Sequence, residues 1–499
     1  MILKSKEAKQ KLLEGINGIA DVVKLTLGAR GKTVMLRNQY GLGFEITKDG
    51  VKTAVATNFE DDPIKQSGAE FVKNAARKTV QEAGDNTTST VIFTQSACNA
   101  VYKELELGVN PNELLQDLKS DLDTIVDYIK EKSIQIESNS DIERIAYVSG
   151  NNSSEIGTLL KDIYDNCGRN VEIDIVETSQ EKTDFEKLSG YTLKNTGYAS
   201  NVFINNYDKG RIEFLNPRIY VLNSTIRNLD NHLQEILSIN SNPNNPEFRP
   251  LVIIAETIEE KVLEVIAKAY GNRQLFDVAV VDTTLIAEDR KNAFIDTSVV
   301  LNAEYKDDFL GNYGTCDKIV IEKNEVTFIG GAGDITKHLD NLKNKPNKTS
   351  FDEKRIFSLE TSAAVIKVGG KLESEVSELK DRIEDAVFAV KSALEEGYLP
   401  GGSSVFISAR KELSFKTRIM PEILLSCYNQ LMLNANLEPM YFLREIEQGK
   451  FGTAYNLINN KIQDFNKAGI YDSAKATRCS ITNAIHTAIN FGTIEAIVS

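Results

Sequence analysis

Residues that bind metals or carry redox chemistry are scarce in this chain. Its 499 residues include only three histidines, His232, His338 and His486, far apart in sequence. The five cysteines (Cys98, Cys167, Cys316, Cys427 and Cys479) are scattered and odd in number, and none forms a C-x-x-C pair. A disulfide framework and a paired-cysteine zinc site are therefore not indicated, and the pattern fits a reducing, cytoplasmic setting. No apolar run approaches the roughly 18 residues that a membrane span needs. The opening Met1 to Gln10 has neither an apolar leader core nor a cleavage signal. A formal net charge of −14 argues against a nucleic-acid groove or an anionic membrane as partner, and is otherwise a source of solubility.

What is present is length. The chain is long enough for about three domains and a large buried core. Leu12, Ile16, Ile19, Val23 and Leu27 recur at helical spacing and stop at Gly28. Lys32 to Leu36 and Phe44 to Thr47 read as strands, with turns at Tyr40 to Gly43 and at Lys48-Asp49-Gly50. Helical patterns follow over 64–83, 88–107 and 112–132. From about 190 to 333 strands alternate with helices, with strand candidates at 218–222, 251–255, 278–282, 319–321 and 326–329. That alternation predicts a separate α/β domain. A long helix is expected over 372–396, then a turn at Pro400-Gly401-Gly402, then mainly helices to Phe491.

One segment carries chemistry. Gly84-Asp85-Asn86-Thr87-Thr88-Ser89-Thr90 sets a carboxylate and a run of hydroxyls before a helical pattern. A helix N-terminus offers free N–H groups and a positive dipole end, which suits phosphate. An aspartate there can hold magnesium. Read alone, the segment is more simply a plain N-cap at Asp85 or Thr87.

Further motifs stand in one order: Thr26-Leu27-Gly28-Ala29-Arg30-Gly31, Ile46-Thr47-Lys48-Asp49-Gly50-Val51, Ile383-Glu384-Asp385-Ala386 and Pro400-Gly401-Gly402. With the segment at Gly84 they make the chain resemble group I chaperonins, the GroEL-like family, as a divergent member that a phage could encode. The resemblance implies a multidomain α+β subunit. A mostly helical equatorial domain (1–131 and 397–499) would flank a hinge-like intermediate domain (132–189 and 364–396), and an α/β apical domain (190–363) would be inserted mid-chain.

The resemblance also implies roles. ATP would be bound by Thr26, Leu27, Gly28, Ala29, Lys48, Asp85, Asn86, Thr87, Thr88, Ser89, Gly402, Asn456 and Asp472. Asp85 would hold Mg2+, and Thr26, Lys48 and Thr87 would hold K+. Asp49 and Asp385 would act on the attacking water. Tyr198, Val202, Phe203, Leu233, Ile236 and Leu263 would face non-native clients, although helical spacing fits Leu233 and Ile236 to a core equally well. The implied partners are a homo-oligomeric ring, usually of seven, and a co-chaperonin lid. The implied activity is an ATPase coupled to protein folding, an isomerase in that sense. A structural or holdase ring without a productive ATP cycle is the rival reading, and a small-molecule kinase a more distant one.

Departures bear on these expectations. Asn86 stands where the family usually has glycine, and Ser362-Ala363 where it often has a glycine pair at the second hinge; Gly190 keeps the first. Leu457 and Ile458 replace small residues, Lys268 an apolar one, and Asn429 an arginine of the ring-to-ring contact. The chain ends at Ser499 without a Gly-Met-rich tail.

Overall fold

A computed structural model describes residues 2–37, 44–59, 61–169, 171–178, 180–207, 209–346, 348–360 and 362–498. The hairpin turn expected at Tyr40 to Gly43 lies outside the described residues. The chain divides into two compact units, Met1–Asp162 with Gly370–Ser499, and Ile163–Gly369.

The first unit is a helical body. Its opening helix, Ser5–Val23, buries Leu12, Ile16, Ile19 and Val23, the inward stripe that the spacing indicates. The helix stops earlier than Gly28: a 3-10 turn, Lys24–Thr26, follows, and Leu27 is already extended. Helix Pro63–Ala83 begins with Asp62 accepting hydrogen bonds from the N–H groups of Ile64 and Lys65 and with proline in its first turn. It crosses the opening helix closely. A Cβ on Gly15 would lie 1.9 Å from the Lys65 carbonyl oxygen, and one on Gly68 2.0 Å from that of Leu12, so only glycine permits this approach. Helices Thr87–Glu106, Pro111–Lys132 and Ala474–Thr493 complete the body. Phe93, Leu118, Leu122, Ile125 and Phe491 fill its core, and each such side chain contributes about 1.5–3 kcal/mol by burial. Phe93 meets Phe406 edge to face, with ring centroids 5.0 Å apart.

Two features of this unit are absent from the sequence reading. Gly50 begins a short helix, Gly50–Ala56, capped by Asp49, where only a turn was expected. The region after Gly402 is not purely helical. Thr453–Asn456 pairs with Lys461–Asp464, and Tyr398–Pro400 pairs with Tyr471–Ser473, setting Leu399 opposite Asp472. Strands of three or four residues show no readable alternation, so periodicity misses them.

The second unit is α/β. Strands Arg218–Val221, Leu251–Ile254 and Val278–Thr283 run parallel, and Thr196–Tyr198 joins them antiparallel. Leu251 to Ile254 are all buried, as expected for a parallel strand covered on both faces. A six-stranded sheet runs in the order Glu172–Glu177, Ser362–Val368, Asp184–Lys194, Glu325–Ile329, Lys318–Ile321, Ile212–Leu215. Both hinge candidates lie in it: Gly190 pairs with Ile329, and Ala363 with Leu188. In the same unit Asp296, fully buried, accepts two hydrogen bonds of 2.7 Å from Arg355 and stands 2.6 Å from His338 Nε2. It thereby ties together helices Ala287–Leu301, Thr336–Lys343 and Ser350–Leu359. Asp296→Ala would leave the buried Arg355 guanidinium with only its long, 3.5 Å contact to Asp352 and is expected to cost about 3–5 kcal/mol. Urea unfolding of the full chain measures this; a loss below about 1 kcal/mol, the scale of a surface pair, would refute it.

Candidate functional site

Three turns of the first unit meet at one cleft, and each is shaped by a backbone constraint. In the first, Gly28 has φ +77°, and a Cβ there would lie 2.2 Å from Leu431 Cδ2. The Asn434 side-chain amide donates to the carbonyls of Lys24 and Leu27, 3.0 Å each, and pins this turn.

The second turn joins two helices. Gly84 ends Pro63–Ala83 in the left-handed region, against the ring of Phe388. Asn86 follows at φ +66°, ψ +24°, and precedes helix Thr87–Glu106 without any side-chain cap. Asparagine thus takes a conformation that suits glycine and that it tolerates better than most residues. The N-cap is neither Asp85 nor Thr87, and Asn86 and Ser89 of this uncapped helix start line the cleft. Asp85 Oδ1 accepts from its neighbour Asn86 N–H, and Oδ2 accepts from the Ser149 hydroxyl at 2.9 Å.

The third turn follows the pairing of Tyr398–Pro400 with Tyr471–Ser473. Gly401 N–H donates to the Ile470 carbonyl, and a Cβ on Gly401 would lie 3.1 Å from Asp472 Oδ1. Gly402 has φ +67° and its N–H donates to the Asp472 carboxylate.

Helix Glu373–Glu396 supplies the remaining wall. Its Ser392 hydroxyl donates to the Ala83 carbonyl and its Arg382 guanidinium to the Gly150 carbonyl. Asp381 pairs with Lys52 at 2.5 Å. These contacts bring Asp385 to the cleft beside Asp85 and Asp49. Asp49 also caps helix Gly50–Ala56, accepting from Val51 N–H at 2.7 Å.

The cleft measures about 330 Å³, within the range of small-molecule sites. Its two ends differ. Tyr428, Leu431, Tyr455 and Leu457 pack in one cluster and make one end apolar; Asp49, Asp85, Asp381 and Asp385, whose charges act on one another, make the other acidic, and Asp472 also lines the cleft. The acids are poorly neutralised. Burial pushes the carboxyl of Asp85 up, opposed by the Asn86 N–H and the Ser149 hydroxyl. Burial likewise raises Asp49, against its bonds to the helix start. Asp472 is pushed up to about 7, by burial and then by the charge of Asp85. Asp385 is raised well above the carboxylate range by its crowded position deep in the cleft, then by the charges of Asp85, Asp49, Asp381 and Glu384. Its side chain remains open to solvent within the cleft, so the direction rests chiefly on these like charges.

Of the site residues expected from sequence, Thr26, Leu27, Gly28, Ala29, Lys48, Asp49, Asp85, Asn86, Ser89, Asp385, Gly402, Asn456 and Asp472 line this cleft. Thr87 and Thr88 stand on the first helical turn but not on its wall. A Cβ on Gly50 would come within 2.2 Å of Thr88 Oγ1, so that hydroxyl packs against the neighbouring helix start. Asn456 directs Oδ1 to the Ile458 N–H at 2.8 Å. The sequence reading missed Ser149, Asn151, Asn152, Asp381 and Arg382, which also line the cleft. Asn151 and Asn152 are both left-handed; their Asn- and Ser-rich stretch was legible only as a change in composition.

The expected client-facing residues lie in the second unit, and there the structure corrects part of the reading. Phe203 and Leu233 are fully buried and Ile236 nearly so. Phe203 packs edge to face on Tyr270, and the stripe of helix Asn231–Ile239 points inward. These three are core side chains rather than an exposed rim. Val202 is exposed, and Tyr198 and Leu263 are half-buried.

Magnesium demands few protein ligands when phosphate oxygens and waters complete its shell. Among the described residues no three His, Cys, Asp or Glu side chains group closely enough to hold a metal alone, whereas Asp85 has both oxygens oriented by donors. The donor set therefore fits a magnesium ion that arrives with a phosphate ligand. Also among the described residues, no helix is long and apolar enough to cross a membrane.

A helical body with a two-ended cleft and an inserted α/β unit is the subunit architecture of a chaperonin. Residues 19–499 match the model of the TCP-1/cpn60 chaperonin family, and the chain belongs to that family, whose members typically assemble as rings. Its fold is similar to that of the chaperonin gp146 from the bacteriophage EL 2 (Pseudomonas aeruginosa), determined in the presence of ATP-BeFx. One crystal form matches with a TM-score of 0.66 at 21% identity, covering 100% of this chain and 99% of that one. The other matches with 0.64 at 20%, with the same coverage.

Two outcomes follow from the geometry. Asn86→Gly should leave stability unchanged within about 0.5 kcal/mol, whereas Asn86→Val, a β-branched residue forced into the left-handed region, should cost about 1–3 kcal/mol. Thermal unfolding compares them, and equal losses would discount the backbone argument. Asp472 binds its proton more tightly in the folded state. The unligated protein therefore loses stability as pH rises from about 4 to about 7. Asp472→Asn should flatten that slope in urea titrations; an unchanged slope would assign it elsewhere.

Proposed function

We propose that this chain is an ATP-driven folding chaperone whose cleft binds ATP with Mg2+. What carries the reading is the two-ended cleft: an apolar end for a base, and an acidic end beside an uncapped helix N-terminus for a magnesium triphosphate. The ATP-BeFx present with the phage chaperonin supports an adenine nucleotide as the occupant.

In this reading Thr26 to Ala29 and Gly402 approach the nucleotide through backbone, with Asn456 and Asp472 toward adenosine. The N–H groups at Thr87 to Ser89 meet the phosphates, and Asp85 holds Mg2+. When bound, that ion neutralises charge on the phosphate oxygens. The carbonyls of Thr26 and Lys48, with Thr87, are our proposed K+ ligands. Asp385 and Asp49 orient or polarise the attacking water, since phosphoryl transfer leaves a protein mainly positioning and charge stabilisation to supply.

The three-domain division and the hinges belong to the same proposal, as do a ring of seven subunits, a co-chaperonin lid and work in the cytoplasm. Client capture is assigned to the apolar surface at Tyr198, Val202 and Leu263, an exposed patch of the kind that binds other apolar surface. A ring that holds clients without hydrolysis is the rival, favoured by the Ser362-Ala363 substitution at the second hinge.

Asp385→Ala is expected to retain ATP binding and to slow hydrolysis by about 10²–10⁴-fold. Phosphate release with and without magnesium measures this. Near-normal turnover in the variant would remove Asp385 from the mechanism, and no magnesium-dependent release by the unaltered protein would favour the passive ring.

A further inference from the structure

The turn after helix Asn139–Ser149 touches both halves of the acidic end. Ser149 Oγ donates to Asp85 Oδ2 at 2.9 Å. The next residue, Gly150, presents its carbonyl to the Arg382 guanidinium, which donates from Nε at 3.2 Å and from its terminal nitrogen at 2.9 Å. Arg382 lies on the helix that carries Asp385, three residues before it. The turn itself has little freedom. Gly150 N–H donates to the Ala146 carbonyl, and a Cβ on Gly150 would lie 2.8 Å from that oxygen. Asn151 and Asn152 follow at φ +58° and +61°. A fixed turn thus stands between the carboxylate at one helix N-terminus and the helix bearing the other.

We propose that Ser149 is a positioning residue for Asp85 and that the Arg382 fork on the Gly150 carbonyl holds Ser149 in place. The chain Arg382–Gly150–Ser149–Asp85 sets the Asp85 carboxylate for a cation and registers it against Asp385. This rests on the proposal that Asp85 holds Mg2+ with a nucleotide, and it adds residues that the sequence motifs leave out. The Ser149 hydroxyl fixes one Asp85 oxygen while the Asn86 N–H fixes the other. The carboxylate can then turn only by breaking one of these bonds. Each oxygen retains a lone pair for the ion. Groups that orient a metal-binding carboxylate control affinity although they never touch the metal. The guanidinium matters for its planar fork, whose two parallel donors to one carbonyl a lysine cannot reproduce.

The test is magnesium-dependent binding of ADP by the full-length protein, followed by titration calorimetry over a series of MgCl2 concentrations. Ser149→Ala should raise the magnesium concentration for half-maximal binding by about 10–100-fold, and Ser149→Thr, which keeps a hydroxyl, should restore it to within about threefold. Arg382→Lys should shift it in the same direction as Ser149→Ala. The double variant Ser149→Ala with Arg382→Lys should shift it less than the product of the two, because both act through one chain of bonds. A magnesium midpoint unchanged in Ser149→Ala, a loss that Ser149→Thr does not restore, or fully multiplicative effects would each overturn the inference. Absence of magnesium-dependent ADP binding in the unaltered protein would instead defeat the underlying reading of the cleft. Urea midpoints within error of the unaltered protein, expected for Ser149→Ala, separate positioning from loss of fold.

Discussion

The arrangement of the first unit depends on holding several carboxylates together against their mutual repulsion. Asp49, Asp85, Asp381, Asp385 and Asp472 come from four separate stretches of chain and face one cleft. Asp381 pairs with Lys52, whose charge also acts on Asp49. Like charges at such range raise one another's carboxyls, and Asp385 and Asp472 show it. This opposes folding, so the surrounding body has to be strong. Tight crossing of the helices at Gly15 and Gly68, and a core filled by Phe93, Leu118 and Phe491, supply that strength. The cleft is a place where local electrostatics and global packing disagree, which is where function commonly resides.

A second constraint is backbone handedness. The cleft is bounded by residues in left-handed conformations: Gly28, Gly84, Asn86, Asn151, Asn152, Gly402 and Ser403. Each lets the chain turn sharply beside the helices and strands that flank it. At Gly28 and Gly84 a side chain would strike Leu431 or Phe388, so two independent requirements select glycine. At Asn86 only handedness is demanded, and asparagine meets it.

This difference explains what the sequence made legible. The long helices, the parallel strands of the second unit and thirteen of the cleft residues could be read from it. The former follow from periodicity; the latter were grouped by their resemblance to a known family, not by pattern. The helix Gly50–Ala56 was missed because its first turn reads as a hairpin signal. The strands after Gly402 were missed because they are too short to alternate. Ser149 and Arg382 carry no motif: their role exists only once Gly150 is brought beside the long helix. Phe203, Leu233 and Ile236 show the opposite failure. Their spacing is equally that of an inward stripe, and burial, which sequence does not report, decides for the core.

The same physics bears on the choice between an active and a passive ring. A passive holder has no use for the acidic end. Replacing Asp85 or Asp385 with asparagine would keep the shape and many hydrogen bonds and would reduce the repulsion. A group held in its less comfortable state is retained where a ligand repays the strain, and a magnesium triphosphate is a ligand whose cation does so. The uncapped start of helix Thr87–Glu106 makes the same point from the other sign of charge. A side-chain cap there would be worth about 1 kcal/mol, and its absence leaves N–H groups open to an anion. A carboxylate cluster and an open helix dipole side by side suit a ligand that carries a cation and an anion together. That combination is why we favour a nucleotide-driven cycle over a structural ring.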